Sequence, residues 1–296
     1  MFSRSTWQHL RIPFSYYLLP VYLFSLSSSP NLNQPRLFWV FFIVHFLLYP
    51  ASNGYNSYFD KDENSIGGVK HPLPVNKGLY YMSLLFDVAA IILAYVTINL
   101  TFAVFVLVYG LISKAYSHPS IRLKKYPIAG WLTVGIFQGL FTFVMCYIGT
   151  NKYEIENVWK PQVLVPGILS TIQLLGTYPM TQIYQHEEDG SRGDKTISLR
   201  LGIRGTFYFV AAIFTLATGG FVYYFLTYFN LHYATVFVIA LSPVVIYFFF
   251  WFLQVYKDPS KADHAHTMRL NSVSATCLNG FFLYLFLDST QVLQTL

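Results

Sequence analysis

The stretch VIYFFFWFLQVY, residues 245–256, is the core of an apolar segment that begins near residue 231. Its apolar side chains do not alternate with polar ones, as they would in a strand of a membrane barrel. An α-helix satisfies its own backbone hydrogen bonds in lipid, and about 20 apolar residues suffice to cross the hydrocarbon core. The stretch therefore predicts a membrane-spanning helix.

The rest of the chain has the same character. Of its 296 residues, 54% are hydrophobic and only 11% are charged, whereas a soluble domain carries about 25% charged residues. We therefore expect an all-α polytopic membrane protein, a single domain over residues 1–296, with nine transmembrane helices and loops that cap one end. The predicted spans are 12–28, 37–56, 78–97, 100–116, 128–149, 162–185, 205–228, 231–256 and 268–290.

The basic residues are distributed unequally between the two ends of these spans. The N-terminus and the loops after spans two, four, six and eight contain 16 of the 19 Lys and Arg residues, and the opposite side contains Arg36, Lys152 and Lys160. The positive-inside rule then predicts a cytoplasmic N-terminus and an external C-terminus, and we expect the bacterial inner membrane. The sequence pI of 9.1 thus reflects topology, and no nucleic-acid partner is expected.

A polar stretch, NSYFDKDEN, ends the second predicted span at residues 56–64 on the basic side. Asn56, Asp60 and Asn64 are four residues apart and would share one face of a helix. Such a face suits Mg²⁺, which prefers carboxylates, waters and substrate phosphates as ligands. The alternative interpretation is an ordinary solvated helix end.

A second polar stretch, QHEEDGSRGDKT, ends the sixth predicted span at residues 185–196, also on the basic side. Gln185 and Asp189 are again four residues apart. Two facing carboxylate clusters would hold metal ions that bridge a diphosphate, and nearby Lys and Arg side chains would neutralise its remaining charge. Two such clusters at the same side are harder to explain as ordinary solvated helix ends than one cluster would be.

In their order and spacing the two stretches resemble the UbiA superfamily of intramembrane prenyltransferases. The first resembles the family motif N-x-x-x-D-x-x-x-D and is followed by KHPLP, residues 70–74, which resembles a basic-Pro-Leu-Pro element. The second resembles D-x-x-x-D-x-x-x-G-x-x-T with its apolar-Gly ending, ISLRLG. The loop YSHPSIRLKKYPIAG, residues 116–130, resembles the loop between spans four and five. Three residues depart from the family pattern: Asn64 and Gln185 replace Asp, and His71 stands where Arg is usual.

The resemblance implies Mg²⁺-dependent transfer of a prenyl group from an isoprenoid diphosphate to a lipophilic or aromatic acceptor within the lipid bilayer. It implies that Asp60 and Asp189 are catalytic. The implied metal ligands are Asn56, Asp60, Asn64, Gln185 and Asp189. The implied substrate-binding residues are Arg11, Lys70, His71, Tyr116, Arg122, Lys124, Glu188, Arg192 and Lys195.

Two other functions remain open at this point. Since amides bind Mg²⁺ more weakly than carboxylates, Asn64 and Gln185 are compatible with a UbiA-like protein that binds or carries an isoprenoid lipid without catalysis. An unrelated transporter would place polar residues at the midplane of its spans, but the acids of this chain concentrate at one surface. Asp87 is a mid-span exception, which indicates either function or a hydrogen bond within the bundle.

Overall fold

The computed structural model describes residues 3–29, 31–151 and 155–290. The described chain is helical apart from its loops, as expected for an all-α protein. The helices are α1 (Arg4–Leu10), α2 (Leu19–Ser27), α3 (Gln34–Asp60), α4 (Lys77–Thr97), α5 (Leu100–Ser117), α6 (Pro127–Thr150), α7 (Pro161–Thr177), α8 (His186–Ser191), α9 (Ile197–Tyr228), α10 (Leu231–Lys257) and α11 (His264–Ser289).

Eight spans within the described residues are long and apolar enough to cross a membrane, and each overlaps a predicted span. The first predicted span, 12–28, differs because it is divided into a 3₁₀ segment, Ile12–Tyr17, and the nine-residue helix α2. At about 1.5 Å per residue, α2 is shorter than the bilayer core, which is about 30 Å thick. Among the described residues, the nine predicted spans are therefore present as eight long helices and one interrupted helical segment, so the predicted count of nine is approximate.

Polar side chains fix where several of the long helices begin. The carboxamide of Asn99 accepts a hydrogen bond from the Phe102 amide at 2.8 Å, and Asn230 does the same for Tyr233 at 3.2 Å. Each cap satisfies a backbone donor that a helix start leaves unpaired. Because these caps follow the preceding helix almost immediately, α4 and α5, and likewise α9 and α10, run antiparallel as neighbours.

Helices α6 and α7 approach unusually closely at a π-helical segment, Phe137–Phe141. The backbone amide of Leu140 donates to Thr171 Oγ1 at 2.8 Å. A Cβ atom added at Gly139 would lie 2.5 Å from Thr171 Cα, so only glycine allows this contact. The π segment and the glycine together bring α7 against α6.

The outer surface of the bundle is apolar and its interior is aromatic. Val96 is 71% exposed and Ile246 is 69% exposed, which is a surface suited to acyl chains. Inside, the rings of Phe24 on α2 and Phe282 on α11 stack with centroids 4.4 Å apart. The chain is therefore a multi-pass integral membrane protein.

The loops that carry most of the basic residues gather at one end of the bundle. The ring of His9 on α1 hydrogen-bonds the Leu73 carbonyl at 2.7 Å, and the Lys195 amide donates to the Lys125 carbonyl at 3.1 Å. At the opposite end Arg36 donates to the Asn151 carbonyl at 2.7 Å. Lys152, assigned to that opposite end, lies outside the described residues.

Candidate active site

The first polar stretch is helical only as far as Asp60. Lys61 adopts a left-handed conformation with φ of 51° and ends α3, so the chain turns away from the helix axis. Asn56 and Asp60 line a cavity, as their spacing predicts, but Asn64 is exposed and lies outside it. The helical spacing argument was therefore wrong for Asn64. Asp62, which was not singled out, lines the cavity instead.

The second polar stretch follows a helix that unwinds before it. Helix α7 ends at Thr177 and continues as two 3₁₀ turns, Tyr178–Thr181 and Ile183–Gln185, before α8. Gln185 and Asp189 both line the cavity. The Asp189 side chain is buried, and none of the ion pairs among the described residues involves it. It is therefore a carboxylate available to a ligand.

The two stretches thus meet at one cavity, which has a volume of about 210 Å³. Asp60 and Asp189 both line it, together with the cationic side chains of Arg11, Lys124 and Arg192. Lys124 forms an ion pair with Asp60 Oδ2, and Arg122 Nη2 lies 3.6 Å from Asp60 Oδ1. Acidic and basic groups therefore face the same space, as a site for a metal-bound anion requires.

Arg122 is held by a buried carboxylate that sequence reasoning missed. Its Nε donates to Asp194 Oδ1 at 2.9 Å and its Nη2 donates to Asp194 Oδ2 at 2.8 Å. These hydrogen bonds raise the pKa of the Arg122 guanidinium above its ordinary value. Asp194 directly precedes Lys195 in the second stretch, and its acidic side chain was the signal that could have identified it.

A second arginine ties the two stretches together at the rim of the cavity. Arg192 Nη2 lies 2.5 Å from Asp62 Oδ1 and 2.6 Å from Glu188 Oε1. The same Glu188 oxygen accepts a hydrogen bond from the Glu63 amide at 3.2 Å. This bridge joins the loop after α3 to helix α8, so Glu188 positions the rim as well as adding charge to it.

The remaining substrate-binding residues predicted from the resemblance divide into two groups. Arg11 and Tyr116 line the cavity, and Arg11 Nη1 donates to the Gly67 carbonyl at 3.4 Å. Lys70, His71 and Lys195 are exposed and do not line it. The KHPLP segment instead packs on α1, where its Leu73 carbonyl accepts a hydrogen bond from the His9 ring.

Two other motif residues have structural roles at the start of α9. The Thr196 side chain accepts a hydrogen bond from the Leu199 amide at 3.3 Å and caps the helix. Gly202 interrupts the helix with φ of 71° and ψ of 171°, a conformation that favours glycine. These local requirements explain a threonine and a glycine at these places.

The inner wall of the cavity is aromatic. The hydroxyls of Tyr116 and Tyr178 hydrogen-bond each other, and Gln182 Nε2 donates to Tyr178 at 3.0 Å. Tyr116, Tyr178 and Phe14 line the cavity beside its charged rim. Asp87 does not line the cavity. It forms an ion pair with Lys114 within the bundle, so a contact inside the bundle accounts for this mid-span acid.

The donor set fits Mg²⁺. Asp60 Oδ1 is buried without a hydrogen-bond partner among the described residues. Asn56 Nδ2 donates to Ser117 Oγ at 3.0 Å and Gln185 Nε2 donates to the Ser65 carbonyl at 3.4 Å, so each amide oxygen is the atom left for a cation. In the part of the chain that the structure describes, no three His, Cys, Asp or Glu side chains form a metal cluster. Mg²⁺ commonly binds through one or two carboxylates with waters and substrate phosphates.

Comparisons with known proteins agree with this geometry. A sequence profile described as the UbiA prenyltransferase family matches residues 17–278. The chain is 27% identical over 190 residues to digeranylgeranylglyceryl phosphate synthase of Methanosarcina mazei, a match that spans 62% of this chain and 62% of that protein.

Solved structures share the fold. A UbiA homolog from Archaeoglobus fulgidus bound to DMAPP and Mg²⁺ superposes with a TM-score of 0.68, at 16% identity, over 97% of this chain and 99% of the other. A UbiA homolog from Archaeoglobus fulgidus bound to GPP and Mg²⁺ gives a TM-score of 0.65, again at 16% identity and over 97% and 99% of the two chains. A structure from work on digeranylgeranylglyceryl phosphate synthase gives 0.60 at 16% identity, over 97% and 98%. At this identity the likeness concerns the fold alone.

Proposed function

Because the chain belongs to the UbiA prenyltransferase family, we propose that it transfers a prenyl group from an isoprenoid diphosphate to a lipophilic or aromatic acceptor and that the reaction depends on Mg²⁺. The observation that carries the proposal is the meeting of Asp60 and Asp189, from two distant stretches, at one cavity with cationic and aromatic walls. The cavity has the charges for a metal-bound diphosphate and apolar surface for the attached chain.

The diphosphate would bind at the charged rim. Arg11, Lys124 and Arg192 supply cationic donors to its oxygens, and such charge-assisted hydrogen bonds are the stronger class. Asp60, Asp189, Asn56 and Gln185 would hold Mg²⁺, which when bound stabilises the negative charge of the leaving group. Lys124, paired with Asp60 here, is positioned to contact both the carboxylate and the diphosphate.

The transfer itself breaks one bond and forms another at the first carbon of the prenyl chain. The carbon–oxygen bond to the diphosphate breaks, and the diphosphate leaves with the electron pair. A nucleophilic carbon or oxygen of the acceptor bonds to the same prenyl carbon and gives up its proton to solvent. The positive charge that develops on the allylic group would be stabilised by the faces of Tyr116, Tyr178 and Phe14, since aromatic rings attract cations.

The second candidate function is a protein that binds or carries an isoprenoid lipid without transferring it. Gln185 supports it, because it lines the cavity where the family motif has a carboxylate, and an amide binds Mg²⁺ less strongly. The two candidates agree on the ligand and differ on whether the carbon–oxygen bond breaks.

A release assay separates the two candidates. Purified protein would be given labelled prenyl diphosphates of several lengths with Mg²⁺ and a panel of acceptors. We expect diphosphate release by the wild type and a fall of about 10²-fold or more for Asp60→Ala and Asp189→Ala, in the range for loss of a charge-stabilising group. The control is Asn64→Ala, an exposed position outside the cavity. Saturable binding without release, across the whole panel, would favour the carrier.

We also propose that the basic end of the bundle, with the cavity, faces the cytoplasm, because 16 of the 19 Lys and Arg residues belong to that side. The test is labelling of intact cells with a membrane-impermeant maleimide. Asn31→Cys, at the opposite end, should react, and Ser191→Cys, on the rim of the basic end, should react only after the membrane is broken. The reverse pattern would overturn the orientation.

A further inference from the structure

A second chamber, of about 200 Å³, lies directly beneath the charged cavity. The two spaces share six wall residues, so they adjoin each other. The shared residues are Phe14, Asn53, Val134, Gln138, Tyr178 and Thr181. None of the residues that line the chamber is charged, and Leu174, Phe221 and Phe282 give it apolar walls.

One side chain in this chamber is not suited to a purely hydrocarbon ligand. Gln173 of α7 lines the chamber and is 7% exposed. Neither its Nε2 nor its Oε1 has a hydrogen-bond partner among the described residues. Buried amides in folded proteins are nearly always paired, so a complete donor and acceptor pair directed into a chamber indicates a polar group in the ligand.

Gln173 is part of a polar strip that leads from the chamber toward the charged cavity. Thr177 follows it by four residues on α7, and Asn271 and Ser274 line the chamber from α11. Met268, three residues before Asn271, lines the charged cavity. Along α11 the strip therefore begins three residues, or about 4.5 Å, beyond the charged cavity.

The chemistry of this strip limits what can bind there. A prenyl chain offers no hydrogen-bonding atoms, and it would leave the Gln173 amide unpaired, which is unfavourable. A carboxylate or phosphate would find no cation among the residues that line the chamber, and burying an unpaired charge is more unfavourable still. A neutral group with an oxygen atom satisfies the amide: Nε2 donates to a carbonyl or hydroxyl oxygen, and Oε1 accepts from a hydroxyl.

We propose that this chamber is the acceptor subsite and that Gln173 binds a neutral hydroxyl or carbonyl oxygen of the acceptor. The inference rests on the proposed prenyl transfer and adds that the acceptor is uncharged at this end. A lipid-facing groove between α9, α10 and α11 shares Thr177, Asn271 and Ser274 with the chamber. Such a groove gives a lipophilic acceptor a route from the bilayer to the strip.

The test compares three probes of one shape: 1-naphthol, naphthalene and 1-naphthoate. Binding to the full chain in detergent is measured by displacement of a fluorescent apolar probe. We expect 1-naphthol to bind about tenfold more tightly than either of the other two, because the site would otherwise leave an amide unpaired or bury a charge. Gln173→Met should reduce the difference between 1-naphthol and naphthalene to less than about twofold. Gln162→Met, an exposed glutamine on the same helix, should preserve it.

A second measurement separates failure of this inference from failure of the proposed function. Mg²⁺-dependent binding of geranylgeranyl thiodiphosphate, which resists cleavage, is measured for the wild type and both variants. Equal affinity in all three shows that Gln173→Met is folded and keeps the diphosphate site. If the thiodiphosphate binds but 1-naphthol is not preferred, or the preference survives in Gln173→Met, the acceptor subsite is wrong. If the wild type does not bind the thiodiphosphate, the proposed function is wrong.

Discussion

The two ends of the helical bundle satisfy their polar groups in different ways. At the end opposite the cavity, Asn151 donates to Ser29 Oγ at 2.8 Å and to the Tyr147 carbonyl at 2.7 Å. Arg36 donates to the carbonyls of Asn151 and Ile98. At the cavity end, by contrast, carboxylates face cations, as Asp60 faces Lys124 and Asp62 faces Arg192.

The difference distinguishes a closed end from one prepared for a ligand. At the closed end, hydrogen bonds to neutral backbone carbonyls hold the helix ends together. They leave few polar groups free to bind a ligand. Ion pairs around an open cavity keep opposite charges close together, and a diphosphate with its metal can bind to both sets of charges. Charged groups at the cavity end should therefore affect ligand binding, whereas those at the closed end should affect stability.

Among the substitutions that compare the two ends, the largest effect is expected from Lys124→Met. It removes a cationic donor that lines the cavity beside Asp60, and hydrogen bonds to charged groups contribute about 1.5–3 kcal/mol. The dissociation constant for geranylgeranyl thiodiphosphate with Mg²⁺ should rise about 10- to 100-fold. The dissociation constant is measured by equilibrium binding in detergent. An unchanged value would contradict the proposal that the diphosphate binds at the cavity end.

Arg36→Met is the matched change at the closed end, and it should act on stability alone. The substitution leaves the carbonyls of Asn151 and Ile98 without their guanidinium donor, which costs about 1–3 kcal/mol for a buried acceptor left unpaired. Thermal unfolding in detergent should move to lower temperature, while thiodiphosphate affinity stays at the wild-type value. A loss of affinity at temperatures where the variant is fully folded would contradict the division between the two ends.

Gln185→Asp should have a smaller effect, and it should strengthen the Mg²⁺-dependent binding of the thiodiphosphate. Because Gln185 lines the cavity, a carboxylate there adds one charged ligand, and ligand charge tunes affinity for hard cations. The Mg²⁺ concentration for half-maximal thiodiphosphate binding should fall by about tenfold or less. Asn64→Asp restores the other carboxylate of the family motifs, but this position lies outside the cavity, so the substitution should leave that concentration unchanged. Equal responses of the two variants would mean that Asn64 reaches the site.

The membrane-spanning architecture could be predicted from the sequence because its cause is local. A helix crosses lipid when about 20 consecutive residues are apolar, and in the described part of the chain eight such segments, α10 among them, lie where the pattern predicts. The interruption of the first span was missed because its length and apolar character resemble those of a continuous helix. Pro13 and Pro20, which follow the starts of the 3₁₀ segment and α2, were the available signal.

The sequence by itself also predicted which two stretches meet at the cavity, since Asp60 and Asp189 belong to spaced motifs that can be recognised without coordinates. Only the tertiary structure decided which neighbours join them: Asp62 lines the cavity and Asn64 does not, because the left-handed turn at Lys61 ends α3. The role of Asp194 likewise depends on its ion pair with Arg122, and that of Gln173 depends on the chamber that it lines together with residues of α11. Periodicity describes one helix at a time, whereas a site is formed where several helices pack together.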